Sequence, residues 1–343
     1  MSLSLERDLR EILELTEALW ADLRGARLFI TGGTGFIGCW LLESLCHANR
    51  QLHLGAKAIV LTRDPEAFRR KAPHLAEDPA LELLRGDVLD PPLVAGACSH
   101  LIHAAAEAST RLHRAEPLKT FDTLVLGTRK VLERASSMSV DRALFVSSGA
   151  VYGRQPPALR RIPDDWPGAP DCTRAEAAYA EGKRAAESLC AMFAEQSGLA
   201  VSMARCFAFT GPYLPLDGSF AIGNFIRDAL AGGPIVVAGD GTPFRSYLYA
   251  SDLTVWLWHL LLRGEPGVSV NVGSEEDLTI TELAERVSRI LGGIQVQVRG
   301  LPDPARPPER YVPETGRARA LGLRMKVDLE DAILRTAQWN RGS

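Results

Sequence analysis

The chain has 343 residues, 46% of them hydrophobic and 24% charged, with a formal net charge of -3. That is enough apolar material for one large or two moderate cores, and the near-balanced charge gives no electrostatic case for nucleic acid. No apolar run approaches the roughly 18 residues of a membrane span, the acidic N-terminus does not read as a signal peptide, and the six cysteines and seven histidines form no Cys-x-x-Cys pair or metal-ligand pattern. The expectation is a soluble cytoplasmic protein with reduced thiols and no metal.

In chain order, Ser4 to about Leu23 predicts an amphipathic helix with Leu9, Ile12, Leu13, Leu15 and Leu19 as its apolar positions. It precedes the first strand, so it reads as an addition that covers the sheet or meets another subunit. The strand Arg27–Thr31 then runs into Gly32-Gly33-Thr34-Gly35-Phe36-Ile37-Gly38 and an apolar-periodic helix. Glycines permit a tight turn with positive φ and a close backbone approach, and the helix N-terminus meets negative charge, so a dinucleotide pyrophosphate fits here. Such turns also occur without a ligand, and the downstream residues decide. Strands follow at Ala58–Thr62, Leu81–Leu84 and His100–His103, then a helix over Leu118–Ala135 and a strand Ala143–Ser147. The alternation predicts an α/β fold, a Rossmann-type doubly wound parallel sheet with helices on both faces. Beyond Arg205 the chain is richer in Pro and Gly with shorter elements. The expected organisation is an N-terminal helical extension (1–24), a dinucleotide-binding domain (25–205) and a smaller C-terminal α/β substrate-binding region (206–343), with possible strand exchange back to the sheet.

Ser148 sits where the Ala143–Ser147 strand ends, the place where ligands of open α/β sheets gather. Tyr179 and Lys183 are four apart in a helical segment and so share a face. A phenol ordinarily titrates near ~10, and a neighbouring ammonium lowers that value, which would let Tyr179 exchange a proton with a substrate hydroxyl or carbonyl. Taken alone, a Tyr and a Lys at this spacing are also an ordinary solvated helix face.

Together with the glycine turn, these residues make the chain resemble the extended short-chain dehydrogenase/reductase family, in particular its nucleotide-sugar epimerases, dehydratases and reductases. The resemblance runs from about Arg27 to the C-terminal region. It implies that Ser148, Tyr179 and Lys183 are the catalytic triad and that residues 32–38 bind NAD or NADP. It further implies cofactor contacts from Asp87 and Val88 in Arg85-Gly86-Asp87-Val88-Leu89-Asp90, from His103, Ala104, Ala105 and Ala106, and from Ser147, Tyr179 and Lys183. At the end of the second strand, Thr62 occupies the place of the carboxylate that holds the ribose of NAD, and Arg63 follows, which favours NADP, with Asp64 next door as a counter-indication.

The segments Arg205-Cys206-Phe207-Ala208-Phe209-Thr210-Gly211-Pro212 and Ala238-Gly239-Asp240-Gly241-Thr242-Pro243-Phe244-Arg245 resemble the family's nucleotide-sugar segments. They imply a nucleoside-diphosphate sugar as substrate, with Arg245 on the diphosphate or ribose and Asn224 and Phe225 near the base. Ala208 stands where the family usually has a diphosphate-binding Asn, and Leu124 replaces another frequent Asn. Glu107, Ser109 and Thr110 are further sugar candidates, with Ser148, Gly149 and Ala150 at the reacting end. The family's 4,6-dehydratases place Asp-Glu directly after the Ser or Thr, and its decarboxylases a Glu; Gly149 and Ala150 stand there instead. The reading is therefore hydride transfer at sugar C4, as a 4-ketoreductase or 4-epimerase, with a dehydratase or decarboxylase as the alternative and a non-catalytic dinucleotide sensor as a reading of another class. A homodimer is expected through the helices near 118–135 and 174–197, as is common in the family.

Overall fold

In the computed structural model, which describes residues 3–106, 114–218 and 220–342, seven strands form one wholly parallel sheet: β1 (Arg27–Thr31), β2 (Lys57–Thr62), β3 (Leu81–Arg85), β4 (His100–His103), β5 (Arg142–Ser148), β6 (Ala200–Cys206) and β7 (Ser269–Val272). Their order is β7-β6-β5-β4-β1-β2-β3. The strand order reverses between β1 and β4, and a sheet of this kind opens its ligand crevice at that point, beyond the carboxyl ends of the strands. The interior strands are apolar and buried along almost their whole length, as parallel strands covered on both faces must be. The expected strands are all present. β7 comes from well beyond Arg205, so the second half of the chain returns one strand to the sheet, in register Val272↔Cys206.

Three layers of helix position the site. α1 (Leu3–Leu15) and α2 (Phe36–Leu52) lie on one face of the sheet. α2 is buried from Gly38 to Ala48 because α1 covers the side turned away from the sheet. The expected N-terminal helix is interrupted: it ends at Leu15 and continues as a 3₁₀ segment, Glu17–Leu23. The Thr16 hydroxyl at the break donates to the Ile12 carbonyl and accepts from the Trp20 indole at 2.8 Å. α3 (Pro117–Ser137) and α4 (Ala178–Ser197) pack together on the opposite face, where a Cβ at Gly182 would lie 2.9 Å from Leu124 Cδ1. The Leu124 that replaces a frequent Asn thus fills a helix contact that only a glycine admits.

The second half builds its own core around α5 (Ala221–Leu230), α7 (Ile280–Leu291) and α8 (Leu329–Arg341), while α6 (Ala250–Arg263) returns to the sheet face beside α1 and α2. α7 opens with a capping box in which the Thr279 hydroxyl accepts from the Glu282 N–H and the Glu282 carboxylate accepts from the Thr279 N–H. A short three-stranded sheet, with Phe244–Arg245 between Leu278–Thr279 and Arg310–Tyr311, faces the cleft. The loop between β5 and α4 is tied to this part by the Ile162 N–H to the Val312 carbonyl at 2.9 Å and the Glu314 N–H to the Ile162 carbonyl at 2.8 Å.

Candidate active site

The glycine turn joins β1 to α2 at the topological switch. Gly32 has φ +72°, and a Cβ there would collide with the Ala104 backbone at the end of β4, so the turn packs tightly against the neighbouring strand end. A Cβ at Gly33 would lie 2.6 Å from Val60, and one at Gly38 would strike the backbone of Gly32 and Gly33. Gly35 is different. It is the N-cap of α2 with φ -78° and ψ -176°, open to any residue, and a Cβ there would meet only the Gly32 carbonyl at 3.4 Å. Nothing among the described residues requires a glycine at 35, whereas a phosphate drawn close to the N-terminus of α2 does. The turn therefore fits a dinucleotide.

At the carboxyl end of β5, Ser148 opens a 3₁₀ turn, and its Oγ accepts from the Ala150 N–H at 3.2 Å. Tyr179, near the start of α4, is half-buried beside Ser148. Burial raises the pKa of its phenol above the ordinary tyrosine value, and Ser148 is the group that pulls it back. This differs from the expectation that Lys183 tunes it. Lys183 is 2% exposed; its ammonium donates to the Val146 carbonyl at 2.6 Å and lies over the Phe145 ring. Burial brings its pKa down to about 8. The lysine is anchored to the strand end, one helical turn from the tyrosine.

The His103 side chain is turned into the interior. It is 3% exposed, with Thr31 Oγ1 2.6 Å from Nδ1 and Thr128 Oγ1 2.9 Å from Nε2. The Thr128 hydroxyl spends its one proton on the Leu124 carbonyl at 2.6 Å, so Nε2 carries the imidazole proton and Nδ1 accepts from Thr31. Burial, then the charge of Lys183, holds the pKa down to about 3, and the ring is neutral. Ser147 is likewise engaged: its hydroxyl donates to Glu187 at 2.6 Å. Glu187 also takes Arg205 Nε at 3.0 Å and Nη2 at 2.7 Å, while Arg205 Nη1 donates to the Tyr152 hydroxyl, which donates to Asn271 Oδ1 at 2.8 Å. This buried network links β5, α4, β6 and β7 directly behind Ser148. The Asp87 carboxylate, at the lip beyond β3, accepts from the Leu89 N–H, and Val88 is buried against Gly127.

Two of the expected substrate residues lie elsewhere. Phe225 is buried in the core of the second half, because α5 turns that face inward to Leu283 and Ile333, and Ala208 is buried in the same cluster. Asn224 spends its amide on the Gly218 carbonyl and on Arg227. Glu107, Ser109 and Thr110 lie outside the described residues. Arg245 is half-buried and, among the described residues, forms no ion pair, which leaves its guanidinium fork for an anionic ligand. Gly149 faces the Phe207 ring, whose nearest atom is 2.6 Å from where a Cβ would be. On that ring stacks Tyr311, centroid to centroid 4.7 Å, which brings it to the Ser148 end of β5. Sequence reasoning missed Tyr311. It comes from a two-residue strand far along the chain and carries no local signal. Its position follows only from the register Tyr311↔Arg245.

A family model described as the NAD dependent epimerase/dehydratase family matches residues 28–273. The chain belongs to that family. It is 31% identical over 310 residues to UDP-glucuronic acid decarboxylase 3 of Arabidopsis thaliana, covering 90% of this chain and 86% of the relative. It is 30% identical over 314 residues to UDP-glucuronic acid decarboxylase 1 of Danio rerio, 91% of this chain and 72% of the relative. Among solved structures, a dTDP-glucose 4,6-dehydratase from Streptomyces venezuelae with NAD bound superposes with a TM-score of 0.78 at 27% identity, over 92% of this chain and 97% of that one. The UDP-glucose 4-epimerase of Thermus thermophilus, also with NAD, gives 0.76 at 27% identity, over 92% and 99%. The family is NAD-dependent and these neighbours hold NAD, so the tilt towards NADP drawn from Thr62 and Arg63 finds no counterpart in them. No helix among the described residues is long and apolar enough to cross a membrane, and none of them groups as a metal site.

Proposed function

We propose that this chain performs NAD-dependent oxidoreduction at C4 of a nucleoside-diphosphate hexose. The observation that carries the reading is Tyr179 beside Ser148 at the end of β5, together with Arg245 in the second half of the chain, which forms no ion pair among the described residues. Tyr179 takes or returns the proton of the C4 oxygen, and Ser148 hydrogen-bonds the same oxygen. Arg245 holds the diphosphate, which orients the sugar over the strand ends. NAD, when bound by residues 32–38 and the strand ends at Thr62, Asp87 and Ala104–Ala106, supplies the hydride acceptor. The buried Lys183 keeps the strand end and helix in place beneath it.

Elimination of water across C5 and C6 needs an acid and a base of its own. Gly149 and Ala150 offer none, and the Phe207 ring occupies the space a side chain at 149 would need. What remains is chemistry that needs only the hydride and the tyrosine: reduction of a 4-keto sugar, epimerisation at C4, or loss of CO₂ from a uronic acid. The last is a second reading favoured by the decarboxylase relatives. A C4 ketone is β to a C6 carboxylate, so the electrons released with CO₂ pass to the C4 oxygen, where Tyr179 and Ser148 already stand. A non-catalytic sensor has no use for that pair.

Incubation of the NAD-loaded protein with UDP-glucose, UDP-N-acetylglucosamine or UDP-glucuronic acid, read by NMR, separates C4 inversion from conversion to a pentose. Dinucleotide retained through purification and released on denaturation supports an in-place cycle, as in epimerisation or decarboxylation; an empty protein that consumes NADH or NADPH supports the reductase. If wild type and Tyr179→Phe are equally inert towards all of these and towards a 4-keto sugar, the enzymatic reading fails. A homodimer through α3 and α4 fits the exposed Leu118, Phe121, Leu126 and Met192 on those helices, and a cytoplasmic location fits six unpaired cysteines.

A further inference from the structure

α4 meets the sheet across an apolar surface, where Ala186 and Cys190 pack with Phe145, Val201 and Met203. Apolar contact has no direction, so it holds a helix against a sheet without deciding how far the helix has slid along it. Directional bonds decide that. Lys183 supplies one, to the Val146 carbonyl at 2.6 Å. Glu187, one turn further along α4, supplies three more. Its Oε1 accepts from the Ser147 hydroxyl at 2.6 Å and from Arg205 Nε at 3.0 Å, and its Oε2 accepts from Arg205 Nη2 at 2.7 Å. One carboxylate thus ties α4 to β5 at the residue before Ser148, and to β6 by a two-pronged bond. We propose that Glu187 is a positioning residue: through Ser147 and Arg205 it sets where α4 holds Tyr179 relative to Ser148.

The same guanidinium reaches both sides of the site. Arg205 Nη1 donates to the Tyr152 hydroxyl at 2.9 Å and to the Asp164 carbonyl at 3.2 Å, and the group lies over the Tyr152 ring. Tyr152 ends the 3₁₀ turn that Ser148 opens. Arg205 therefore bonds on one side to the helix that carries Tyr179 and on the other to the turn that carries Ser148. The side chains of Glu187 and Arg205 are only 11% and 18% exposed, so water competes little for these bonds. A displacement of about 1 Å between reacting groups is enough to cost on the order of 100-fold in rate, which gives a tie of this stiffness a use beyond holding the fold together.

The inference rests on Tyr179 and Ser148 acting as proposed above, and two variants separate positioning from stability. Ser147→Ala/Glu187→Leu/Arg205→Met removes the tie without leaving a buried charge unpaired; replacing a buried ion pair by apolar groups is often neutral for stability, so the thermal midpoint is expected to stay near that of wild type. Glu187→Asp keeps the charge pair and shortens the link by one methylene. At saturating NAD, kcat is expected to fall by about 10–100-fold in the triple variant, with KM for the sugar nucleotide changed far less. In NAD-loaded protein carrying 3-fluorotyrosine, the ¹⁹F line of Tyr179, assigned by its absence from Tyr179→Phe, is expected to shift or broaden in both variants. Because Glu187→Asp retains the charge, its shift reports displacement and not a changed field. A triple variant with wild-type kcat overturns the proposal, as does an unmoved Tyr179 line in Glu187→Asp, which stands as a test even if the triple variant does not fold. A wild type as inert as Tyr179→Phe, with the ¹⁹F shifts present, would instead count against the catalytic reading alone.

Discussion

Replacing Arg335 tests how the N-terminal helix is held to the fold. Its guanidinium, 4% exposed on α8, donates to Asp8 and Glu11 of α1 and to Asp331 at 2.7 Å, and it lies over the Tyr249 ring. Asp8 is 0% exposed, accepts from the Tyr249 hydroxyl at 2.7 Å, and is pushed by burial up to about 6 even with the arginine beside it. Arg335→Met keeps an apolar stem and leaves that carboxyl without its cation. Removing one partner of a buried pair costs about 3–5 kcal/mol. At about 2.1 cal/mol/K per residue, the unfolding entropy of the chain is about 0.7 kcal/mol/K, so the thermal midpoint falls by about 4–7 °C.

The sign with pH follows from the raised pKa. A carboxyl that binds its proton more tightly when folded stabilises the fold most below its unfolded value of 3.8, and that contribution is lost as pH rises through about 6 in the wild type. Without the arginine the folded pKa rises further, and the loss continues beyond pH 6 at about 1.4 kcal/mol per unit. Asp252, also buried, near 6 and facing Arg335, moves in the same direction. The gap between wild type and variant, measured by calorimetry, is therefore expected to widen by about 2–3 kcal/mol between pH 6 and pH 8. Asp8→Asn/Arg335→Met should recover most of the loss. A gap that is equal at the two pH values, or wider at pH 6, refutes the reasoning.

Tyr179→Phe should lower turnover by about 10²–10⁴-fold while leaving the bound dinucleotide in place, as read by mass spectrometry of denatured protein. Arg245→Ala should weaken nucleoside-diphosphate-sugar binding by about 10–100-fold, the equivalent of a charged hydrogen bond, with NAD affinity unchanged in calorimetric titration. Gly38→Ala drives a methyl into the Gly32 and Gly33 backbone and should abolish NAD binding in the same assay. Leu118→Arg with Phe121→Arg should convert a dimer to monomers in sedimentation, since both side chains are exposed on α3.

The first half of the chain was legible because its determinants are local. The apolar strands, the glycine turn, and the i, i+4 placement of Tyr179 and Lys183 are each set by neighbours a few residues away. The boundaries of β1 and β4 match the expectation, and α4 carries the tyrosine where the spacing placed it. Phe225 and Ala208 went astray for the complementary reason: a residue's place in a motif does not say which way the helix or strand turns once a second core forms around it.

By itself, then, the sequence determined a dinucleotide-binding sheet, the residues at its strand ends and the class of chemistry they can perform. Only the tertiary structure decided that Lys183 points to the Val146 carbonyl, that His103 is a neutral spacer between two threonines, that Arg205 and Glu187 close the wall behind Ser148, and that Tyr311 stacks on Phe207 from the second half of the chain. Those contacts join residues from 18 to 104 positions apart, and the placement of Tyr311 depends on a two-residue strand. Strands so short have no periodicity of their own; their register is set by packing, and packing exists only in the folded molecule.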